Sequence, residues 1–239
     1  MSGKLFDYRI ICNDPTLDDP IDPRAIRGFN IPPDLGSFVC LTFDDGPTSL
    51  NTPKILDVLK AYNAKATFFV LGEFVEYFPQ ITLRIAEEGH EIGNHTFSHP
   101  ELSELTAEQL KKEILDTEAA IELITKNRSR LFRPTYGVFR NCLLDQVENL
   151  GYKVVLWSRD MLIKDWEQPG AETLIERVVS NIKSGSNILL HDGGGEREQT
   201  IEALQSIIPL LTERGYQFVT VSEMIELSAT TAKKESLIS

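Results

Sequence analysis

Cysteine is scarce in this chain: Cys12, Cys40 and Cys142 are the three in 239 residues, widely spaced and without a C-x-x-C pair. That spacing argues against a disulfide framework and against a cysteine-based zinc site. Cys40 falls inside an apolar run and reads as core. Positive charge is scarce too, with 24 Lys plus Arg against 36 Asp plus Glu and a formal charge of −12. That balance argues against nucleic acid as the main partner, since phosphate binding needs a basic face. An anionic membrane surface is disfavoured for the same reason, whereas an uncharged sugar or amide substrate is compatible. No stretch approaches the roughly 18 apolar residues of a membrane-spanning helix. The first twenty residues, MSGKLFDYRIICNDPTLDDP, lack a cationic start followed by a long apolar segment, so they do not read as a signal peptide. There is no internal repeat and no low-complexity tract.

An apolar fraction of 41% and a charged fraction of 25% are ordinary for a globular protein with a sizeable core. From residue 37 onward, short runs rich in Val, Ile and Phe alternate with longer segments of helical period. The pattern predicts strands near 38–43, 66–71, 91–94, 130–134, 153–157, 187–191 and 217–221. Helices are predicted between them near 52–62, 75–89, 107–125, 140–150, 171–183 and 199–213. Pro53 after Thr52 suits a first helical position, and Thr106 with Gln109 reads as a capping box. Alternating strands and helices imply a parallel sheet with crossover connections, open or closed into a barrel. One domain is expected over 37–227. Residues 1–36, with Pro15, Pro20, Pro23, Pro32 and Pro33, read as an irregular lead-in, and 228–239 as a mobile tail.

In parallel α/β folds the working residues collect at the carboxyl ends of the strands. Asp44 and Asp45 follow the first predicted strand. GNHTFSHP after the third brings His95 and His99, FRPTYG at the fourth brings Arg133, and LLHDGG at the sixth brings His191. His95 and His99, bracketed by Gly93 and Pro100, can turn both rings to one side. Two imidazoles and a carboxylate are a common catalytic zinc set. Taken singly, each feature has a plainer reading. Asp-Gly-Pro is a good turn, H-x-x-x-H is short, an arginine at a strand end is often a surface pair, and a lone histidine after a buried strand is usually core. Their convergence on one predicted face tips the balance toward chemistry. His90, in the loop before the third strand, lies at the opposite end and is given none.

Taken in order, TFDDGP, HTFSHP, RPTYG, the Trp157 to Trp166 segment and LLHDGG resemble the motifs of the polysaccharide deacetylases, carbohydrate esterase family four. The resemblance covers about residues 37–226. It implies a distorted (β/α) barrel of about seven parallel strands that binds zinc or a similar divalent ion, with cobalt or nickel as alternatives. It further implies Asp45, His95 and His99 as metal ligands, Asp44 as catalytic base and His191 as catalytic acid. Arg133 would hold Asp44, and Asp165 would pair with His191, with Asp160 a competing acid. Tyr136 would offer its backbone amide to the oxyanion, while Trp166 and Leu189 would line the pocket for the acetyl methyl. Thr135 stands where the family usually has a second proline.

The expected activity is hydrolysis of N-acetyl groups from N-acetylglucosamine units of chitin oligomers or peptidoglycan. The alternatives are O-deacetylation of acetylated xylan and an inactive carbohydrate-binding protein. The expected partner is such a glycan, taken by a monomer without membrane insertion. The location follows as secreted or envelope-bound if a leader has been removed, and otherwise cytoplasmic.

Overall fold

The computed structural model describes residues 24–137 and 141–236; Cys12, Pro15, Pro20 and Pro23 lie outside them. Among the described residues the strands are β1 (Ser37–Gly46), β2 (Thr67–Val70), β3 (Glu91–Asn94), β4 (Leu131–Phe132), β5 (Lys153–Val154), β6 (Ser186–His191) and β7 (Tyr216–Phe218). The α-helices are α1 (Thr52–Ala61), α2 (Gly72–Tyr77), α3 (Pro79–Glu87), α4 (Ala107–Thr125), α5 (Asn141–Asn149), α6 (Ala171–Asn181), α7 (Glu198–Glu213) and α8 (Val221–Ser236). All strand pairs are parallel, in the order β5-β4-β3-β2-β1-β6. The long β1 carries β6 along one edge, and on the other edge β7 at its start and β2 at its end.

The sheet curls into a distorted (β/α) barrel, and the alternation of strand residues separates its two faces. Leu41, Phe43, Phe68, Val70, Ile188 and Leu190 face outward and pack with the surrounding helices. Phe38, Cys40, Phe69, Leu131 and Val155 form the inner cluster, joined by Val221 and Met224 of α8. Between β5 and β6 the barrel is stitched by irregular chain rather than a ladder. Ile26 N–H donates to Val154 O at 2.9 Å and Ser158 N–H to Asn187 O at 3.0 Å. Asn187 Nδ2 reaches Leu156 O at 2.6 Å. The start of α8 plugs the opposite end, where Val221 N–H donates to Thr67 Oγ1 at 3.0 Å and Ser222 N–H to Glu91 Oε2 at 3.0 Å.

Three departures from the sequence reading have physical causes. The helix expected over 75–89 is two, α2 and α3, broken at Phe78 (φ −125, ψ 55) because Pro79 has no N–H to donate and excludes helical backbone before it. The strand expected to reach 221 ends at Phe218, and α8 begins at Val221. That helix continues to Ser236 through most of the segment read as a tail. Once its first turns are docked, each further residue extends it at low cost. Among the described residues no helix is long and apolar enough to cross a membrane.

Candidate active site

Adjacent strand residues normally point to opposite faces, so two neighbouring aspartates on β1 should not share a site. A bulge removes that restriction. Asp44 pairs with Phe69 and Gly46 with Val70, leaving Asp45 as the extra residue, at φ 70. Both carboxylates therefore line the cavity at the carboxyl end of the barrel.

Their surroundings differ. Asp44 is buried, and Arg133 Nη1 donates to its Oδ1 at 2.7 Å. Arg133 is itself fully buried, with Nη1 also on Thr42 Oγ1 at 2.9 Å, Nε on Val155 O at 3.2 Å and Nη2 on Leu156 O at 3.1 Å. Its guanidinium stacks 4.0 Å over the Phe69 ring. Asp45 faces two imidazoles instead: its Oδ1 is 3.4 Å from His95 Nε2 and 3.2 Å from His99 Nε2.

The loop that brings the histidines is tightly held. Phe97 and Ser98 N–H both donate to Glu113 Oε2 of α4 at 2.8 Å, and His99 N–H donates to Thr96 Oγ1 at 3.1 Å. Thr96 (φ 74) and His99 (φ 56) adopt left-handed backbone, as do Asp45 and Tyr136 (φ 57). Such conformations cost energy in non-glycine residues and concentrate where side chains must be aimed. Thr135, at the position where a proline was expected, donates its hydroxyl to Pro100 O at 2.6 Å and so ties this loop to the turn after β4.

Asp45, His95 and His99 form a cluster that can hold a metal ion, their ligand atoms lying within 4.8 Å of one another. The donor chemistry fits. His95 Nδ1 lies 2.7 Å from Arg133 O, a carbonyl that only accepts, so Nδ1 carries a proton and Nε2 is the ring nitrogen left facing Asp45. Asp45 Oδ1 is buried without a hydrogen-bond donor. Burial alone would raise the Asp45 pKa, but the two histidines pull it far below the usual carboxylate range. Burial would lower that of His95, yet Asp44 and Asp45 hold it up. Positive charge, as protons on the imidazoles or as a bound metal ion, is what this cluster calls for.

His191 closes the other side. Its Nδ1 lies 2.7 Å from Asp165 Oδ1, and its N–H donates to Asp165 Oδ2 at 2.9 Å. Asp165 is fully buried and also accepts from Thr200 Oγ1 at 3.0 Å. Asp160 sits elsewhere, paired with Lys183 at 2.7 Å. Burial pushes the His191 pKa down, but Asp165, then Asp44 and Asp45, carry it above its ordinary value.

These groups surround a cavity of about 570 Å³ walled by Trp157, Leu162, Trp166 and Leu189. Trp166 meets His191 edge-on at 5.2 Å, and Tyr136 meets His99 at 4.7 Å. Gly137 (φ 65) allows the wall to close, since a Cβ there would stand 2.3 Å from Trp157. Every site residue expected from the sequence lines this cavity or touches one that does. Sequence reasoning missed Thr200, Asp192 and Arg197. Asp192 is buried beside the site, accepts from Thr52 Oγ1 at 2.5 Å, and is pushed up to about 7 by burial and by Asp45 and Asp44. HDGGGEREQT carries all three, but only the histidine stands at a strand end.

Comparison with known proteins agrees with this geometry. The family model described as polysaccharide deacetylase matches residues 33–155. A peptidoglycan-N-acetylglucosamine deacetylase of Bacillus cereus is 43% identical over 209 residues, covering 87% of this chain and 97% of that protein. The peptidoglycan-N-acetylmuramic acid deacetylase PdaC of Bacillus subtilis is 41% identical, over 79% of this chain and 39% of its own length. The crystal structure of a peptidoglycan N-acetylglucosamine deacetylase superposes with a TM-score of 0.80 at 39% identity, covering 84% of this chain and 92% of that one. With its barrel, its ordered strand-end motifs and these relatives, the chain belongs to the polysaccharide deacetylase family.

Proposed function

We propose that this protein removes the N-acetyl group from N-acetylglucosamine units of peptidoglycan or chitin oligomers, releasing acetate and a free amine. The observation that carries the reading is the contrast between two neighbouring carboxylates, Asp44 gripped by Arg133 and Asp45 facing two imidazoles. Zinc suits two imidazoles and a carboxylate, and cobalt or nickel accepts the same set. When bound by Asp45, His95 and His99, such an ion polarises the amide carbonyl and acidifies water.

The chain's own residues move the protons. Asp44, gripped and oriented by Arg133, takes a proton from the attacking water. The water oxygen adds to the carbonyl carbon, and the Tyr136 N–H donates to the oxygen on which charge develops. An amine leaves an acyl carbon only if protonated. His191, held cationic by Asp165, gives its proton to the nitrogen as the C–N bond breaks. Trp166 and Leu189 enclose the methyl group and exclude bulk water. Peptidoglycan as substrate would set the site of action at the cell envelope.

The test compares Asp44→Asn with Asp45→Asn, which remove the same charge one residue apart. Asp45→Asn is expected to lose metal on dialysis, since a neutral oxygen replaces an anionic ligand. Asp44→Asn is expected to keep metal while acetate release falls about 10²–10⁴-fold. Equal metal loss in both variants, or normal turnover in Asp44→Asn, would falsify the division of labour. Acetate release from acetyl-xylan alone would make the enzyme an O-deacetylase, and none from any glycan would leave it a binding protein.

A further inference from the structure

We propose that Arg197 forms a carboxylate-recognition subsite on the wall of the catalytic cavity, where it takes the lactyl carboxylate on O3 of an N-acetylmuramic acid unit. The inference rests on the deacetylase reading above and extends its substrate class.

Arg197 is 3% exposed and lines the cavity with Asp44, Asp45 and His191. Its Nε donates to Gly193 O at 2.9 Å and its Nη2 to Gly194 O at 3.1 Å. Among the described residues it forms no ion pair. Arg133, the other arginine buried at this end, is neutralised by Asp44 at 2.7 Å. A guanidinium removed from water and matched only by carbonyl dipoles is costly unless an anion joins it. Five N–H donors are available on the group, and those two carbonyls leave part of the fork free.

The position is rigid and close to the reacting end. Arg197 N–H donates to Asn51 Oδ1 at 3.3 Å, while Asn51 Nδ2 holds Asp192 O at 3.1 Å and Gly195 O at 2.8 Å. Gly193 presses on the backbone of Asp45, since a Cβ there would stand 1.8 Å from Asp45 O. The point where a Gly194 Cβ would stand is 3.1 Å from Asp45 Oδ2 and 3.2 Å from Arg197 Nη2. The arginine is thus the neighbour of the Asp45, His95 and His99 cluster on the side of the glycine turn.

Substrate chemistry meets this arrangement. The acetamide is borne on C2 of the sugar, and the lactyl ether of muramic acid on the adjacent C3. With the acetamide carbonyl at the cluster, the lactyl carboxylate is only a few bonds away. With the ion at the cluster taken up by the acetamide carbonyl, a neighbouring carboxylate needs donors of its own, and a guanidinium fork is the geometry that supplies them best.

The experiment measures acetate release from three substrates: a muramic acid oligosaccharide with its lactyl carboxylate free, its lactyl methyl ester, and an N-acetylglucosamine oligomer. Wild-type enzyme is expected to favour the free acid over the ester by about tenfold or more in kcat/KM. Arg197→Gln is expected to bring that ratio close to one, and Arg197→Lys to restore part of it. Equal kcat/KM for acid and ester in the wild type overturns the proposal, whatever the variants do. So does an Arg197→Gln that lowers both alike, which would leave the arginine a brace for the glycine turn or a grip on the departing acetate. Turnover of the N-acetylglucosamine oligomer with neither muramyl substrate used sinks the subsite alone. No acetate from any substrate sinks the deacetylase reading with it.

Discussion

His90 and His95 flank one short strand, β3, and stand at opposite ends of the barrel. Both are buried, His90 at 8% exposure and His95 at 2%. Their titration nevertheless goes in opposite directions. His90 Nδ1 has no hydrogen-bond partner, its ring lies edge-on to Phe68 at 5.6 Å, and burial with nearby Lys65 lowers its pKa to about 4. His95 is deeper still, yet Asp44 and Asp45 hold its pKa above the ordinary value. Burial does not make a reactive histidine. The balance of charge facing it does: Lys65 outweighs Glu88 beside His90, whereas Asp44 and Asp45 face His95.

The sharpest way to break the comparison is at the carboxyl end. His191→Ala is expected to retain metal and fold while kcat falls by about two to four decades, measured as acetate release beside metal content. Loss of metal in that variant would make His191 a ligand. Arg133→Met should follow in size, because it strands Asp44 in a buried site; unfolding in urea should show a loss of about 3–5 kcal/mol. Asp165→Asn acts on pH rather than on the fold. His191 must be protonated to act, so activity falls as pH rises through its raised pKa. Without the charged partner that pKa drops, and the alkaline limb of the pH–rate profile moves to lower pH. The same shift in Asp160→Asn instead would assign the pairing to the wrong aspartate.

The smallest effect is expected at the other end. His90→Phe should leave acetate release unchanged and stability at neutral pH within about 1 kcal/mol. Its signature is in acid. A histidine lowered from 6.5 to about 4 is neutral in the folded protein while the unfolded chain takes up a proton. Stability is therefore lost as pH falls from about 6.5 toward 4. The phenylalanine variant should lose that part of the slope, and an unchanged slope would mean that His90 finds a partner in solution.

Most of the β-strands, and the gathering of Asp44, Asp45, His95, His99 and His191 around one cavity, were legible in the sequence. Continuous apolar runs mark β1, β2 and β6; Asp44, Asp45 and His191 stand at the carboxyl ends of β1 and β6, and His95 and His99 lie in the loop after β3. What was not legible depends on the third dimension. The register shift that turns Asp45 to the same side as Asp44 leaves no trace in composition. Arg197 sits six residues past a strand end, among glycines that resemble an ordinary loop, and only the fold carries it back to Asp45. The break at Phe78 was available from Pro79 but lost against a continuous helical period. The start of α8 was hidden by Val219 and Val221, which read as strand and instead close the barrel floor.

The stitching between β5 and β6 bears on when this molecule becomes whole. Ser158 Oγ donates to Arg27 O across 131 positions of chain, and Cys40 Sγ to Thr220 O across 180. Contacts so distant along the chain are made late, after nearer ones have fixed the ends. A ribosome delivering this protein has exposed Asp44, Asp45, His95 and His99 long before it releases His191, Arg197 or the floor of the barrel. The ligand residues are therefore the early half of the site and the proton-donating wall the late half, and the two become one only when β6 pairs with β1 and the turn after it closes on Asp44 and Asp45.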